Sequence, residues 1–494
     1  MRVNRNAVAN YASRLWTGLS TFLFVPIYLR LLGPEAFGLV MFSTSVLGVV
    51  FVLDMGMSNT FAREVALKRE AGHLAVLLRS LEWVYFWLIV IVLIFALITS
   101  GLIAKYWLNS GSLPFVEVRL SVALMLVSAS LQVMMALYIG GLLGSNRHVE
   151  AAGYQIGFSI LRSGLVILPI YFWPRVDLFF MWQLFASAGC LLLLRRSIWR
   201  LVNALNPPNF SSKALRAVSG FAGGMFGIAL ISAINTQSDK LVASKVFSLE
   251  QFGLYSIASL VGQVPSILAL PLAITVLPRL TESFSRADRE NLLAIYMRYS
   301  FMVSAVSYTS AIGVFMGAGS ILFFVTGSAP TYELILVTRT LAVGGALLAS
   351  QYMPYHLAVA SGHTRTNLVF GAFSAVVMPI AMFYGATRFG IIGAAVPWVV
   401  MNGAATVFLA KRIVPRFLGP YLAEWFWRAN LLPLVVTLIV VVPAAVGVGA
   451  IDSQIIALTG LAALCALAIS IHAGILAGPY LYGKGPDKEM DPTT

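Results

Sequence analysis

The chain has 494 residues, 59% of them hydrophobic and only 11% charged, with a mean hydropathy of +0.87. A soluble domain carries about 25% charged residues, so water is excluded as the main solvent. The formal charge of +14 does not point to nucleic acid, because no Lys/Arg-rich stretch is interleaved with aromatics as a binding groove would be.

Residues 1–10 are polar and basic and run into an apolar segment without a small-residue cleavage site, so an uncleaved first helix is expected. A span needs roughly 20 apolar residues. The predicted spans are 8–31, 37–61, 81–103, 118–143, 154–173, 177–198, 218–235, 249–277, 292–316, 334–360, 367–386, 391–413, 430–450 and 455–480. The fold class is therefore an all-α polytopic membrane protein of about fourteen transmembrane helices. The first, second and seventh spans carry polar residues and would be missed by a strict hydropathy threshold. Cys190 and Cys465 lie in apolar segments without metal-ligand spacing, and no metal site is indicated.

Lys and Arg are retained on the cytoplasmic side. With the N-terminus inside, inner loops outnumber outer loops in these residues by about three to one, which places both termini in the cytoplasm. A bacterial inner membrane is the expected location.

The chain also repeats itself. Gly33-Pro34-Glu35-Ala36-Phe37-Gly38-Leu39 opens the second span and Ser248-Leu249-Glu250-Gln251-Phe252-Gly253-Leu254 the eighth. Ser145-Asn146-Arg147-His148 follows the fourth span and Ser361-Gly362-His363-Thr364 the tenth, at nearly the same offset. Two parallel six-helix repeats are expected: a lobe over 1–202, a cytoplasmic linker over 203–217, a second lobe over 218–416, and two further helices with a tail over 417–494. Paired bundles with short loops are the plan of a transporter. No Walker loop, His-Glu-x-x-His pair or Gly-x-Ser-x-Gly elbow is present, which argues against an enzyme.

A charge at the bilayer centre costs a few kcal/mol, so intramembrane polar residues need a reason. Arg14, Arg162, Arg298, Gln155, Asn235 and Gln237 form the candidate substrate-binding set, and Asp54, Asn59, Asp239 and Lys240 the structural or ion-coupling set. Bases outnumber acids among them, and a cleft lined this way attracts anions. The bland readings are that Arg14 and Arg298 snorkel to the interface and that Asp239 and Lys240 anchor a helix end. Arg162 lies near the middle of its span and is hardest to dismiss, although Gln155 two turns earlier is an available partner. Pro265, Pro271 and Pro278 mark the eighth helix as a distorted hinge element. The aromatic clusters at 83–87 and 425–427 fit interfacial belts.

Residues 26–38, Leu53-Asp54-Met55-Gly56 with Arg63-Glu64, Ser238-Asp239-Lys240-Leu241 before Phe252-Gly253-Leu254-Tyr255, and Leu277-Pro278-Arg279-Leu280-Thr281 resemble the Wzx-like polysaccharide-export flippases. These belong to the multidrug/oligosaccharidyl-lipid/polysaccharide superfamily. The resemblance implies a V-shaped pair of six-helix lobes that moves an undecaprenyl-diphosphate-linked oligosaccharide from the cytoplasmic to the periplasmic leaflet by alternating access. Its sugar head cannot cross roughly 30 Å of hydrocarbon unaided. Membrane lipid, a polysaccharide polymerase and a chain-length regulator are the other implied partners, and no cofactor follows. Rival readings are a lipid II flippase, which the two additional helices suit, and a cation-coupled multidrug exporter, which should show acidic intramembrane residues. An O-antigen polymerase or ligase would need a large periplasmic loop.

Overall fold

In hydrocarbon every backbone polar group must be satisfied within its own segment, and long apolar runs therefore fold as helices. The structure, a computed structural model, describes residues 23–67, 70–202, 209–448 and 454–477, with Ser13, Trp16 and Ser20. Arg14 lies outside the described residues. These are helical nearly throughout, and no strand occurs among them. Eleven of the described helices are long and apolar enough to cross a membrane.

Three features separate that number from the fourteen expected spans. The first span is described as the short apolar helix α1 (Leu23–Leu32). The seventh falls in α9 (Ser212–Val246), which is long but carries five Ser with Asn235 and Gln237. The eleventh and twelfth run together in one assigned helix, Arg365–Leu418, which breaks at Gly390 (φ 64°, ψ −147°). A Cβ on Gly385 would lie 2.1 Å from the carbonyl oxygen of Gly393, so the two halves fold back on each other there.

Packing divides the chain into two compact units, Met1–Ser256 with Val325–Gly327, and Ile257–Phe324 with Ser328–Thr494. The first contains α1, α2 (Pro34–Val50), α3 (Met57–Ala66), α4 (Ala71–Leu102), α5 (Phe115–Gly144), α6 (His148–Ser159), α7 (Ile167–Phe172), α8 (Val176–Val202), α9 and the start of α10 (Leu249–Gly262). Helix α5 is its centre, packed on α2, α3, α4 and α8. Small residues allow the closest of these approaches: Gly140 and Gly144 of α5 meet the backbone oxygens of Ser58 and Ala62 on α3. Helix α9 packs on α2, α3 and α4, so this unit extends past the 203–217 connection.

The two copies of Glu-x-Phe-Gly-Leu meet within this unit. Phe37 and Phe252 are both fully buried, and a Cβ on Gly253 would lie 3.2 Å from the Cα of Gly38. The connection between α4 and α5 staples the same place. Glu35 accepts from the Ser112 amide at 2.8 Å, while the Asn109 carbonyl accepts from the Leu249 amide at 3.1 Å. The second repeated pair also shares its geometry. Asn146 (φ 60°) and Gly362 (φ 72°) are both left-handed, and the next residue of each donates back to the helix just ended: Arg147 to Leu142 at 2.9 Å and His363 to Ala358 at 2.8 Å.

The second unit holds the rest of α10, α11 (Val264–Ser285), α12 (Arg289–Thr326, less Val325 and Thr326), α13 (Tyr332–Ser350), α14 (Tyr352–Ala360), α15 (Arg365–Leu418), α16 (Leu422–Glu424), α17 (Leu432–Val448) and α18 (Gln454–Ala477). Its core joins Ala273 and Leu280 of α11 to Tyr296, Leu357, Ile413 and Trp425. Pro265 stands in the first turn of α11, where a missing N–H is tolerated, two residues after the break between α10 and α11 at Gln263, and Pro271 and Pro278 are inside α11. Trp425 is buried and donates to Ser300 at 3.0 Å, while Phe426 and Trp427 are exposed.

Candidate functional site

The first unit contains a chamber of about 90 Å³ among α1, α2, α5, α8 and the turn after α6. Its position follows from one irregularity. Between α6 and α7 the chain forms a π-turn, Ile160–Gly164, closed by the Leu165 amide on the Ile160 carbonyl at 2.9 Å. Such a turn carries an extra residue and is frequent at functional sites because it re-aims a side chain. Here it aims Arg162 into the chamber. Side chains of α8 satisfy carbonyls on the widened turn: Trp182 donates to Leu161 at 2.8 Å and Gln183 to Arg162 at 3.2 Å.

Polar side chains in and behind the wall form a chain of contacts. Arg162 Nη1 donates to Gln132 Oε1 at 2.6 Å, and Gln132 Nε2 donates to Ser128 Oγ at 3.2 Å. Ser128 and Ser187 share a hydrogen bond of 3.2 Å, and Ser20 and Ser159 one of 3.1 Å. The Tyr28 hydroxyl donates to the Ser163 carbonyl. Phe158 presents its ring to the guanidinium, 5.7 Å from its centroid. Phe24, Phe37 and Phe180 close the apolar side.

Among the described residues no carboxylate pairs with Arg162. No Asp or Glu precedes Glu35 in the sequence. An arginine cannot escape the penalty by losing its proton. The chamber thus sets one guanidinium beside amide, hydroxyl and aromatic side chains.

Of the expected substrate-binding set, Arg162 is the member that lines this chamber. Gln155 is exposed on α6 and Arg298 exposed on α12 in the other unit. Asn235 is half-buried on α9 and donates to its own helix at Ile231, 2.9 Å. Gln237 lays its amide against Gly48, and its Oε1 is buried without a hydrogen-bond partner among the described residues. Asp54 accepts from Tyr85 and from Ser58 Oγ at 2.8 Å, so it caps α3 and ties it to α4. Asn59 is exposed, Asp239 buried and Lys240 half-buried. No group of three His, Cys, Asp or Glu that could hold a metal occurs among the described residues.

Sequence reasoning missed Gln132, Tyr28, Gln183 and Glu82. Gln132 gave a usable signal, as a lone amide in an otherwise apolar span. Glu82 accepts from Tyr138 at 2.7 Å, Trp199 at 2.8 Å and Arg195 at 2.9 Å.

A family model described as polysaccharide biosynthesis protein matches residues 3–284. A Shigella flexneri protein named as an O-antigen transporter is 20% identical over 415 residues, covering 81% of this chain and 95% of that protein. The lipopolysaccharide biosynthesis protein WzxC of Escherichia coli K12 is 22% identical over 417 residues, covering 82% and 80%. Among solved structures, the lipid II flippase MurJ in an inward closed conformation superposes with a TM-score of 0.74 at 16% identity, covering 95% of this chain and 98% of that one. At that identity the likeness is one of fold.

Proposed function

The chain belongs to the polysaccharide biosynthesis protein family, and on that premise we propose that it is a flippase for undecaprenyl-diphosphate-linked oligosaccharide repeat units. It moves them across the bacterial inner membrane for exopolysaccharide, O-antigen or capsule synthesis, by alternating access and with both termini cytoplasmic. It is a multi-pass membrane protein and not an enzyme. The observation that carries the reading is Arg162, a guanidinium with no paired carboxylate among the described residues, lining a chamber inside apolar helices. Burying an uncompensated charge costs several kcal/mol, a cost that a protein handling phosphorylated lipid recovers when an anionic head group arrives. Arg298, exposed on α12, and Arg14 are the other cations proposed to meet the diphosphate. Gln155, Asn235 and Gln237 are proposed to meet the sugar.

The test is deletion of the gene, with lipid-linked oligosaccharide followed in each leaflet. The expected result is accumulation on the inner leaflet, relieved by the wild-type gene. Arg162→Ala should fail to relieve it, and Arg162→Lys should do so in part, because a lysine keeps the charge but loses the fork of donors. Delivery to the outer leaflet in the deletion strain would overturn the proposal.

A further inference from the structure

Helix α15 folds into a hairpin at Gly390, and its second half carries an open groove of about 520 Å³. Gly403, Ala404, Val407, Phe408, Lys411 and Arg412 line it, a single stripe of the helix, since residues four apart lie one above another. The floor is low where Gly403 and Ala404 carry little or no side chain. Val400 and Val407, one turn before and one turn after Ala404, are 64% and 54% exposed, so this part of the stripe faces hydrocarbon.

The other end is charged. Lys411 and Arg412 are exposed, and neither forms an ion pair among the described residues. No Asp or Glu occurs between Glu333 and Glu424 in the sequence, and Glu424 is paired with Arg428 at 2.8 Å. The Arg412 guanidinium lies over the Phe408 ring, 5.9 Å from its centroid, and that ring packs on Phe370 of the first half of the hairpin at 5.2 Å. A guanidinium seated in this way keeps its planar fork of donors for an oxygen acceptor. The helix dipole accounts for Arg416 in the last turn of α15 but falls off before Lys411 and Arg412. The proposed topology puts this end at the cytoplasmic leaflet, where anionic lipids attract basic side chains. An occupant that matches the whole stripe has a phosphate at one end and a hydrocarbon chain at the other; a free anion would leave the apolar part uncovered.

We propose that this groove binds one anionic phospholipid, its phosphate between Lys411 and Arg412 and one acyl chain along Val407, Ala404 and Gly403. The site belongs to the second unit and goes beyond the flippase reading. Either can fail alone, because the test below measures binding and not flipping.

Full-length protein in a neutral detergent is titrated with phosphatidylglycerol, or with phosphatidylcholine of the same chains, and bound lipids are counted by native mass spectrometry. The expected result is a step that saturates at one phosphatidylglycerol per protein, with no such step for phosphatidylcholine. Lys411→Gln and Arg412→Gln should each weaken that step about fivefold. Ala404→Phe fills the exposed floor of the groove while both cations stay, and should weaken it at least as much. Arg196→Gln, which removes an exposed cation from α8, should leave it unchanged, and glycerol phosphate, a head group without chains, should not compete. Equal binding of the two lipids, competition by glycerol phosphate, or an Arg196→Gln variant as impaired as Lys411→Gln overturns the proposal. So does preferential binding of undecaprenyl phosphate at these residues, since the groove would then hold a carrier lipid.

Discussion

Glu82 and Arg162 belong to the same unit, and their surroundings assign them different work. Glu82 is 5% exposed and receives hydrogen bonds from Tyr138, Trp199, Arg195 and Arg79, so four side chains from three helices depend on one carboxylate. Removing its charge strands those donors. Breaking a buried pair costs about 3–5 kcal/mol, but Arg195 is 45% exposed and water screens its share, so about 2 kcal/mol is the figure to expect for Glu82→Gln. The check is the unfolding midpoint of the purified variant; a value equal to wild type would show that the carboxylate bears no structural load. Arg162 offers the reverse case, a charge with one side-chain acceptor, whose removal should be felt in transport before it is felt in stability. At this scale the sequence exposed isolated charges in apolar runs, and Arg162 and Asp54 were both legible. The partner of Arg162 was not. Gln155 stands seven residues earlier, on the same face of an unbroken 3.6-residue helix, but the π-turn at Ile160–Gly164 inserts a residue between them and rotates Arg162 off that face. Gln132, on another helix, has no spacing that announces it.

Helices α2 and α10 cross where both carry glycine, and the two glycines are not equivalent. A Cβ on Gly38 would lie 1.9 Å from the carbonyl oxygen of Leu249, whereas the nearest atoms to a Cβ on Gly253 are at 3.2 Å. Backbone cannot turn aside as a flexible side chain can, so Gly38→Ala must push the helices apart, while Gly253→Ala requires a shift of a few tenths of an ångström. Overpacking of the first kind costs about 1–3 kcal/mol. Gly38→Ala should therefore lower the unfolding midpoint clearly and Gly253→Ala much less; an equal loss, or the opposite order, would contradict the crossing. The repeat itself was legible, because Glu-x-Phe-Gly-Leu stands out twice in the sequence. That the two copies touch was not, since a motif marks a place along the chain and says nothing of which place lies opposite. The eighth span shows a similar limit. Three prolines marked it as distorted without saying where, and the break between α10 and α11 falls at Gln263, two residues before Pro265.

Hydropathy made the helical, membrane-spanning character legible, and it blurred where polar residues interrupt a long helix, as in α9. That polarity is distributed unequally between the units. In the first it gathers around a chamber with a charge in it. In the second it forms a seam in which each hydroxyl finds a protein partner: Ser304 donates to Asn430 Oδ1 at 3.1 Å, Tyr308 bonds Ser350 at 3.0 Å, and Thr437 joins Thr309 at 3.2 Å to His472 at 3.0 Å. The partners Asn430, Thr437 and His472 come from the chain after α15, so the seam attaches the last two helices to α12. Interhelical hydrogen bonds inside a membrane contribute about 0.6 kcal/mol on average, and about 1.7 kcal/mol at most. Asn430→Leu removes the acceptor shared by Ser304 and Tyr308 and should cost about 1 kcal/mol. Its effect should fall on the amount of folded protein, with flipping per folded molecule unchanged, because no part of the seam borders the Arg162 chamber. The measurement is therefore a ratio of outer-leaflet oligosaccharide to folded protein in the complemented deletion strain. A fall in that ratio would mean that the second unit's seam takes part in transport and that polarity there is more than a fastening for the last helices.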